Sequence, residues 1–413
     1  MKRIYIIIRI FAPIINLLTD IVNIFIWRDK KIILFGSWMG NRFADNSRYL
    51  FQHMSDYKEQ YKFKKVIWVT RNKTIYKTLK SMGYDTYMMY SLQSIYYHFK
   101  AGVHIICNQS YPVKGYAGDI MGQLSGRAIK INMWHGIPLK AGKSTGENIK
   151  KNGLLGQIRF YLKTNSVFNF VFSPGHWNKA YYFSTGKECT RRLAVFLGVN
   201  EKQFLNVGYP RTCKLERYLD EEKGIISKIR SYSKTILFVP TFRENGDVPH
   251  PLDSLEILEY IKNNDILWIE KPHSALKEEK IYDLCKKNIM NLNGNFDINS
   301  ILPEISLLIT DYSSVCYDAM AYSKPVLFYD ADYNHYLNDE RGFLCDYKAE
   351  VRGIEADSSE KLLDLIKKFW EDSSFRIEVL NKVEFEKKRL YDEEYKNCKD
   401  IFIALNKYID FMK

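Results

Sequence analysis

No two cysteines in this 413-residue chain are spaced as CxxC, and none of the seven stands at metal-ligand spacing from a histidine. A structural zinc is therefore not expected, and an odd, scattered set reads as reduced intracellular thiols. No stretch approaches the roughly 20 uninterrupted apolar residues of a membrane span. In the apolar N-terminal segment the longest run without charge is Ile10–Thr19, and no small-residue cleavage site follows it. RRM, KH and zinc-finger signatures are missing, so nucleic acid is not an expected partner. Acidic residues are scarce in one half only. Residues 1–206 hold 31 Lys+Arg against 10 Asp+Glu, whereas residues 207–413 hold 30 against 38. A basic first half suits an anionic partner such as a phosphorylated substrate or a membrane surface. Apolar residues make up 46% of the chain, with 30 Tyr and 24 Phe, enough for folded cores and too many for disorder.

Within the apolar segment Ile4–Trp27, the residues Arg9, Pro13, Asn16, Asp20 and Asn23 recur at steps of four, three, four and three. That spacing puts them on one helical stripe, with Ile, Leu and Phe over most of the remaining circumference. The expectation is an interfacial membrane helix over residues 1–28, anchored by Lys2, Arg3 and Arg9; the alternative is a helix packed on the protein's own core.

Beyond it, short apolar runs alternate with helical patterns. Ile32–Phe35, Val66–Val69, Val103–Cys107 and Ala128–Met133 read as strands, with helices beginning near Asn46 and Ile75. The alternation restarts with Thr235–Val239, Ile266–Ile269, Leu307–Ile309 and Pro325–Tyr329. Such alternation implies βαβ units and mostly parallel sheets. An α/β chain is expected, with two Rossmann-like domains facing a cleft, at 29–206 and 207–375, and C-terminal helices over 376–413 packing across them. Ligands of open parallel sheets sit beyond the strands' carboxyl ends, so the loops there are where chemistry is sought.

Those loops carry the candidate residues. Ser306–Met320 ends a strand at Thr310-Asp311, and Ser313-Ser314 open the next helix with free backbone N–H groups and two hydroxyls, a phosphate-binding arrangement or a plainly capped helix. Met133-Trp-His-Gly-Ile-Pro-Leu-Lys140 places His135 on a strand-end loop, where an imidazole can act as general base. Gly208–Arg211 and Pro240–Arg243 each present an arginine whose planar fork suits phosphate oxygens or an ordinary ion pair. His273 closes the strand Ile266–Ile269 and could donate to a leaving phosphate. Asp330-Ala-Asp332 has the DxD spacing of a Mn²⁺ or Mg²⁺ site, but its position late in the second domain argues against metal binding. Arg127–Lys163 holds eight Lys+Arg and the single acid Glu147, interleaved with apolar residues, as a lipid-headgroup surface would be.

In this order along the chain, Gly36–Leu50, Trp134–Lys140, Gly208–Arg211, Pro240–Arg243, the His273 strand end, Thr310–Ser314 and Arg341–Phe343 resemble the CDP-glycerol glycerophosphotransferase family of teichoic acid and capsule synthesis. The resemblance implies a GT-B fold, no cofactor and no metal. It implies a CDP-glycerol or CDP-ribitol donor, a lipid-linked saccharide or polyol-phosphate acceptor, and monotopic attachment to the cytoplasmic face of a bacterial membrane. It also implies roles: His135 as the base on the acceptor hydroxyl, with Trp134, Gly136 and Lys140 on the acceptor side. Arg211, Arg243, His273, Thr310, Asp311, Ser313 and Ser314 would serve the donor, His273 in the chemistry itself. Thr212-Cys213 replaces the family's usual Asn-Asp after Gly-Tyr-Pro-Arg, which puts a role for that loop's acid in doubt. A nucleotide-sugar glycosyltransferase of the same fold is the alternative enzyme, and a catalytically silent membrane scaffold the alternative of another class.

Overall fold

The computed structural model describes residues 2–113, 116–141, 154, 158, 166–241, 243, 248–271, 287–340, 342–392 and 397–409. They divide into two compact units. The first comprises Met1–His135, Ser144–Arg217 and Glu393–Lys413; the second comprises Gly136–Lys143 and Tyr218–Asp392. The chain therefore passes from one unit to the other inside the Trp-His-Gly-Ile-Pro-Leu-Lys motif.

The first unit opens with two helices, α1 (Lys2–Ile10) and α2 (Ala12–Phe25). Its sheet has seven strands in the order β3-β2-β1-β4-β5-β6-β7. These are β1 (Asp29–Phe35), β2 (Lys65–Thr70), β3 (Asp85–Met88), β4 (Ala101–Ile106), β5 (Ile129–Asn132), β6 (Tyr181–Ser184) and β7 (Phe204–Asn206). All pairings are parallel. Central strands of such a sheet are covered on both faces, which is why β4 is buried at every position, His104 included. Helix α3 (Asp45–Asp56) follows β1, and α4 (Lys73–Ser81) follows β2, its start fixed by Asn72, whose side chain accepts the Thr74 and Ile75 N–H groups.

The second unit's sheet is also wholly parallel, in the order β10-β9-β8-β11-β12-β13. Its strands are β8 (Lys234–Val239), β9 (Ile266–Glu270), β10 (Ile289–Asn291), β11 (Leu307–Thr310), β12 (Val326–Tyr329) and β13 (Glu355–Ala356). The helix Val315–Ala321 connects β11 to β12. Of the last two long helices, Ser373–Leu390 belongs to the second unit and Cys398–Ile409 to the first.

The eight strands expected from apolar runs are all present. The others are two to four residues long and less apolar, with Asp85 opening β3 and the exposed Tyr181 opening β6. Helix α2 inverts the usual arrangement of an amphipathic helix. Its polar stripe faces the protein: Asn16, Thr19 and Asn23 are buried, while Ile14, Leu17, Leu18, Ile21, Ile24 and Phe25 are exposed. Asn16 donates to the Ser173 carbonyl at 3.1 Å and accepts the Gly175 N–H at 2.8 Å, and Asp20 pairs with His176 at 3.2 Å. No helix among the described residues is long and apolar enough to cross a membrane.

Candidate active site

In the first unit the loops after β1, β4 and β5 surround His135. Trp134 has φ 57° and Gly136 φ 137°, so the chain turns sharply on both sides of the histidine, and a side chain at 136 would be strained. Asn132, the last residue of β5, locks this turn by accepting the Trp134 N–H at 3.0 Å. The imidazole Nδ1 lies 3.2 Å from the Cys107 carbonyl. A carbonyl can only accept, so Nδ1 carries the proton and Nε2 keeps its lone pair. The rings of Trp134 and Trp38 lie 4.2 and 5.2 Å from the imidazole. Burial lowers the His135 pKa, with Asp45 and the Cys107 contact acting against it and Arg211 with it. The result is a half-buried imidazole held neutral.

The backbone around His135 is tied down by a buried ion pair. Arg211 donates to the Asp45 carboxylate at 2.9 Å and to the His135 carbonyl at 2.8 Å. Asn46 donates to the Trp134 carbonyl at 2.9 Å and accepts the Arg211 N–H at 3.1 Å. Asp45, in the left-handed region at φ 65°, also accepts the Trp38 indole N–H at 3.1 Å. Arg211, expected among the donor residues, is thus placed beside His135. Asp45 and Asn46 carry no individual signal in the sequence beyond their place in the Gly36–Leu50 stretch.

In the second unit Arg243 is 1% exposed and is gripped by carboxylates. Its guanidinium donates to Asp311 at 2.9 Å, to Asp332 at 2.7 and 3.0 Å, and to the Thr241 carbonyl at 2.8 Å. It lies 5.0 Å from the Tyr312 ring and 4.8 Å from the Tyr336 ring, which stack on each other. Burial alone would lower the Arg243 pKa, but the two acids outweigh it and raise it. For Asp332 burial likewise works upward and loses to Arg243, so its pKa is lowered. Asp332 also accepts the Tyr312 hydroxyl at 3.0 Å, and Asp330 is paired with Lys348 at 2.6 Å. The carboxylates of the DxD spacing are thus engaged in ion pairs, and no cluster of three or more metal-ligating side chains occurs among the described residues.

Thr310 and Asp311 hold the scaffold. The Thr310 hydroxyl donates to the Val239 carbonyl of β8 at 2.6 Å, and Asp311 accepts the Thr241 N–H at 2.9 Å and that of Tyr312 at 2.6 Å. Ser313 and Ser314 differ. Both are half-buried, and neither hydroxyl has a hydrogen-bond partner among the described residues. Lys140 belongs to this unit: residues 139–141 pair with 342–344, and its ammonium reaches the Thr241 hydroxyl at 3.1 Å. His273 and Arg341 lie outside the described residues.

Two parallel sheets whose strand-end loops carry one neutral histidine and one hydroxyl-lined turn define an α/β transferase of GT-B-like architecture. The chain belongs to the CDP-glycerol:poly(glycerophosphate) glycerophosphotransferase family, whose model matches residues 20–392, and it is an enzyme of that transferase type. It is similar to the teichoic acid poly(glycerol phosphate) polymerase of Bacillus spizizenii, at 25% identity over 83% of this chain and 84% of that protein. It is also similar to the teichoic acid glycerol-phosphate transferase of Staphylococcus aureus, at 23% identity over 85% and 87%. A teichoic acid poly(ribitol-phosphate) polymerase of Bacillus spizizenii matches at 26% identity over 70% of this chain and 45% of that protein. The solved structure of the wall teichoic acid polymerase TagF shares the fold, with a TM-score of 0.68 at 18% identity over 96% of this chain and 92% of that one.

Proposed function

We propose that this protein transfers a polyol phosphate, glycerol phosphate foremost, from a CDP-activated donor to a hydroxyl of a membrane lipid-linked acceptor, releasing CMP. The observation that carries this reading is the neutral imidazole of His135, protonated at Nδ1 on the Cys107 carbonyl and bearing its lone pair at Nε2. In the step it serves, the acceptor O–H gives its proton to Nε2 and the oxygen attacks the polyol-bearing phosphorus. The bond from that phosphorus to the bridging oxygen breaks, and CMP departs with the bonding electrons. Such transfer needs positioning and charge neutralisation more than covalent catalysis. On the donor side, the Ser313 and Ser314 hydroxyls, without partners among the described residues, and Lys140 serve the diphosphate, together with His273. Arg243 acts one step back, by fixing the Asp311-Tyr312 turn that leads into the serines.

Attachment to the cytoplasmic face of the membrane is part of the same reading. Helix α2 turns its apolar side outward, as a helix lying in the headgroup boundary does, with its polar stripe clamped to the protein. The exposed Leu154 and Ile158 lie in the basic stretch Arg127–Lys163, which suits anionic lipid. Replacing Leu17 and Leu18 by Asp should reduce co-sedimentation with anionic vesicles and spare transfer to a soluble acceptor analogue; unchanged co-sedimentation removes the helix from the docking surface.

The transfer itself is tested by incubating the protein with a lipid-linked acceptor and, separately, CDP-glycerol, CDP-ribitol and nucleotide-sugars. Mass analysis should show a phosphodiester-linked polyol and free CMP. A product carrying a sugar in place of a polyol phosphate overturns the proposal in favour of glycosyl transfer, and no product with any donor favours a scaffold.

A further inference from the structure

One buried acid of the first unit, outside every sequence motif, ties together two of the loops that hold His135. Asp119 is fully buried. Its Oδ1 accepts the Met39 N–H at 2.8 Å, from the loop after β1. Its Oδ2 accepts the N–H groups of Asn108 at 2.8 Å and Cys107 at 3.3 Å, from the loop after β4. Its own N–H donates to the Gln109 carbonyl at 2.6 Å.

The two loops gathered in this way are the ones that meet the imidazole. The Cys107 carbonyl receives the Nδ1 proton of His135, and Trp38 stands 5.2 Å from the ring. The loop that carries Trp38 is strained: Trp38 and Met39 have φ of 41° and 57°, a region that residues with a Cβ avoid unless held there. The contact is also close. A Cβ at Gly36 would lie 2.3 Å from the Asp119 carbonyl oxygen, so only glycine admits the approach. The ionisable groups facing this arrangement are the Cys107 thiol, pushed up by burial and by Asp45 and Asp119, and His135 itself.

We propose that Asp119 is a positioning residue for His135: its carboxylate fixes the Trp38–Met39 turn beside the imidazole and the Cys107 carbonyl against Nδ1, so that Nε2 is presented to the acceptor hydroxyl. The inference rests on the reading of His135 as the base. A carboxylate accepting three backbone N–H groups suits this task, because its charge strengthens each bond and its two oxygens serve two loops at once. Burial raises its pKa to about 7 while the backbone donors act to lower it, so it can lose this grip within the physiological range.

The test is Asp119→Asn, which keeps the shape but turns an amide N–H₂ towards one set of donors. Transfer from CDP-glycerol to a soluble acceptor analogue should lose roughly ten- to a hundredfold in kcat, as expected for a base displaced by an ångström or less, with the donor KM unchanged. A long-range ¹⁵N–¹H spectrum of the His135 ring should change from the single Nδ1–H tautomer to a mixture. A folded variant with wild-type kcat and an unchanged tautomer overturns the proposal. Should the variant fail to fold, the wild-type ring resonances decide. With the Cys107 carbonyl held against the ring they should show the single Nδ1–H tautomer at neutral pH; a tautomer mixture or a proton on Nε2 overturns the proposal. A fully active His135→Ala would sink the base reading instead, and would leave the spectroscopic result on Asp119 standing.

Discussion

Each unit buries one arginine that the sequence offers as a phosphate fork, and in each the fork is already filled. Arg211 in the first unit holds one carboxylate, Asp45, and spends another donor on the His135 carbonyl. Arg243 in the second holds two carboxylates, Asp311 and Asp332, beside a stacked pair of tyrosine rings. The difference lies in what each pair leaves open. The first unit's pair steadies a neutral base, and the second's steadies a turn whose two serine hydroxyls have no hydrogen-bond partner among the described residues. The buried ion pairs do the holding, and the neutral imidazole and the serine hydroxyls beside them are the groups proposed to meet substrate, together with Lys140.

The largest expected effect tests the first half of that contrast. His135→Ala should lose about 10²–10⁴ in kcat while donor affinity stays near wild type, because only proton transfer is removed. Transfer kinetics together with calorimetric donor binding check it. A folded variant with normal turnover would place the base elsewhere.

The two arginines should then differ in stability. Removing one partner from a buried ion pair costs about 3–5 kcal/mol, since the other charge stays buried and uncompensated. Arg243→Ala strands two acids and Arg211→Ala strands one, so urea unfolding should show the greater loss for Arg243→Ala. Equal losses would break the comparison. The functional readouts should differ too: Arg211→Ala should lower kcat through His135, whereas Arg243→Ala should weaken donor binding through the serine turn.

How far the sequence reached follows from the same residues. Apolar runs mark eight of the thirteen strands, because central strands of a parallel sheet are buried on both faces and need no alternation. Strand ends then located His135, Arg211, Arg243 and the serine turn. What periodicity and spacing could not supply was partnership. Asp45 is 166 positions from Arg211, and Asp332 is 89 from Arg243, so nothing local marks either pair. Asp119 stands in no motif, and its work is done through three backbone N–H groups, which leave no trace in side-chain patterns. The inward-facing polar stripe of α2 was visible as a stripe, but its direction depends on the Ser173–His176 segment it meets.

Acid should separate the units further. The first unit buries His98 and His104 completely. His98 Nδ1 donates to the Ser94 carbonyl at 2.6 Å and its Nε2 accepts the Met121 N–H at 3.1 Å, an arrangement only the neutral ring can make. Burial lowers the His98 pKa to about 4, the Ser94 contact opposing and Arg28 assisting, and it takes His104 well below its usual value. Above about pH 6.5 both rings are neutral in the folded and unfolded chain, and they contribute no pH dependence. As pH falls from there towards 4 the unfolded chain takes up protons that the folded one refuses, so stability declines, by about 3 kcal/mol for His98 alone. Asp119, with its raised pKa, takes up a proton over the same range and works the other way, but the two buried histidines act together, so hydrogen exchange at pH 5 should loosen β4 and its neighbours before β8 and β11. Loss of protection in the second unit first would contradict this.

The smallest effect concerns the serine turn. If Ser313 and Ser314 donate to the donor diphosphate, each bond to a charged oxygen is worth about 1.5–3 kcal/mol. Neither hydroxyl has a partner among the described residues, so Ser→Ala strands no buried group and should leave stability within a few tenths of a kcal/mol. Affinity and stability are thereby uncoupled here, in contrast to Arg243, where both should fall together. Calorimetry with CDP-glycerol should show Ser313→Ala and Ser314→Ala weakened by at least tenfold, with unfolding midpoints unmoved. Thr310→Ala gives the opposite pattern, because its hydroxyl is committed to the Val239 carbonyl between β11 and β8: stability should drop and donor affinity should hold. Unchanged affinity in both serine variants would remove the hydroxyls from the donor site and leave Lys140 and His273 to hold the diphosphate.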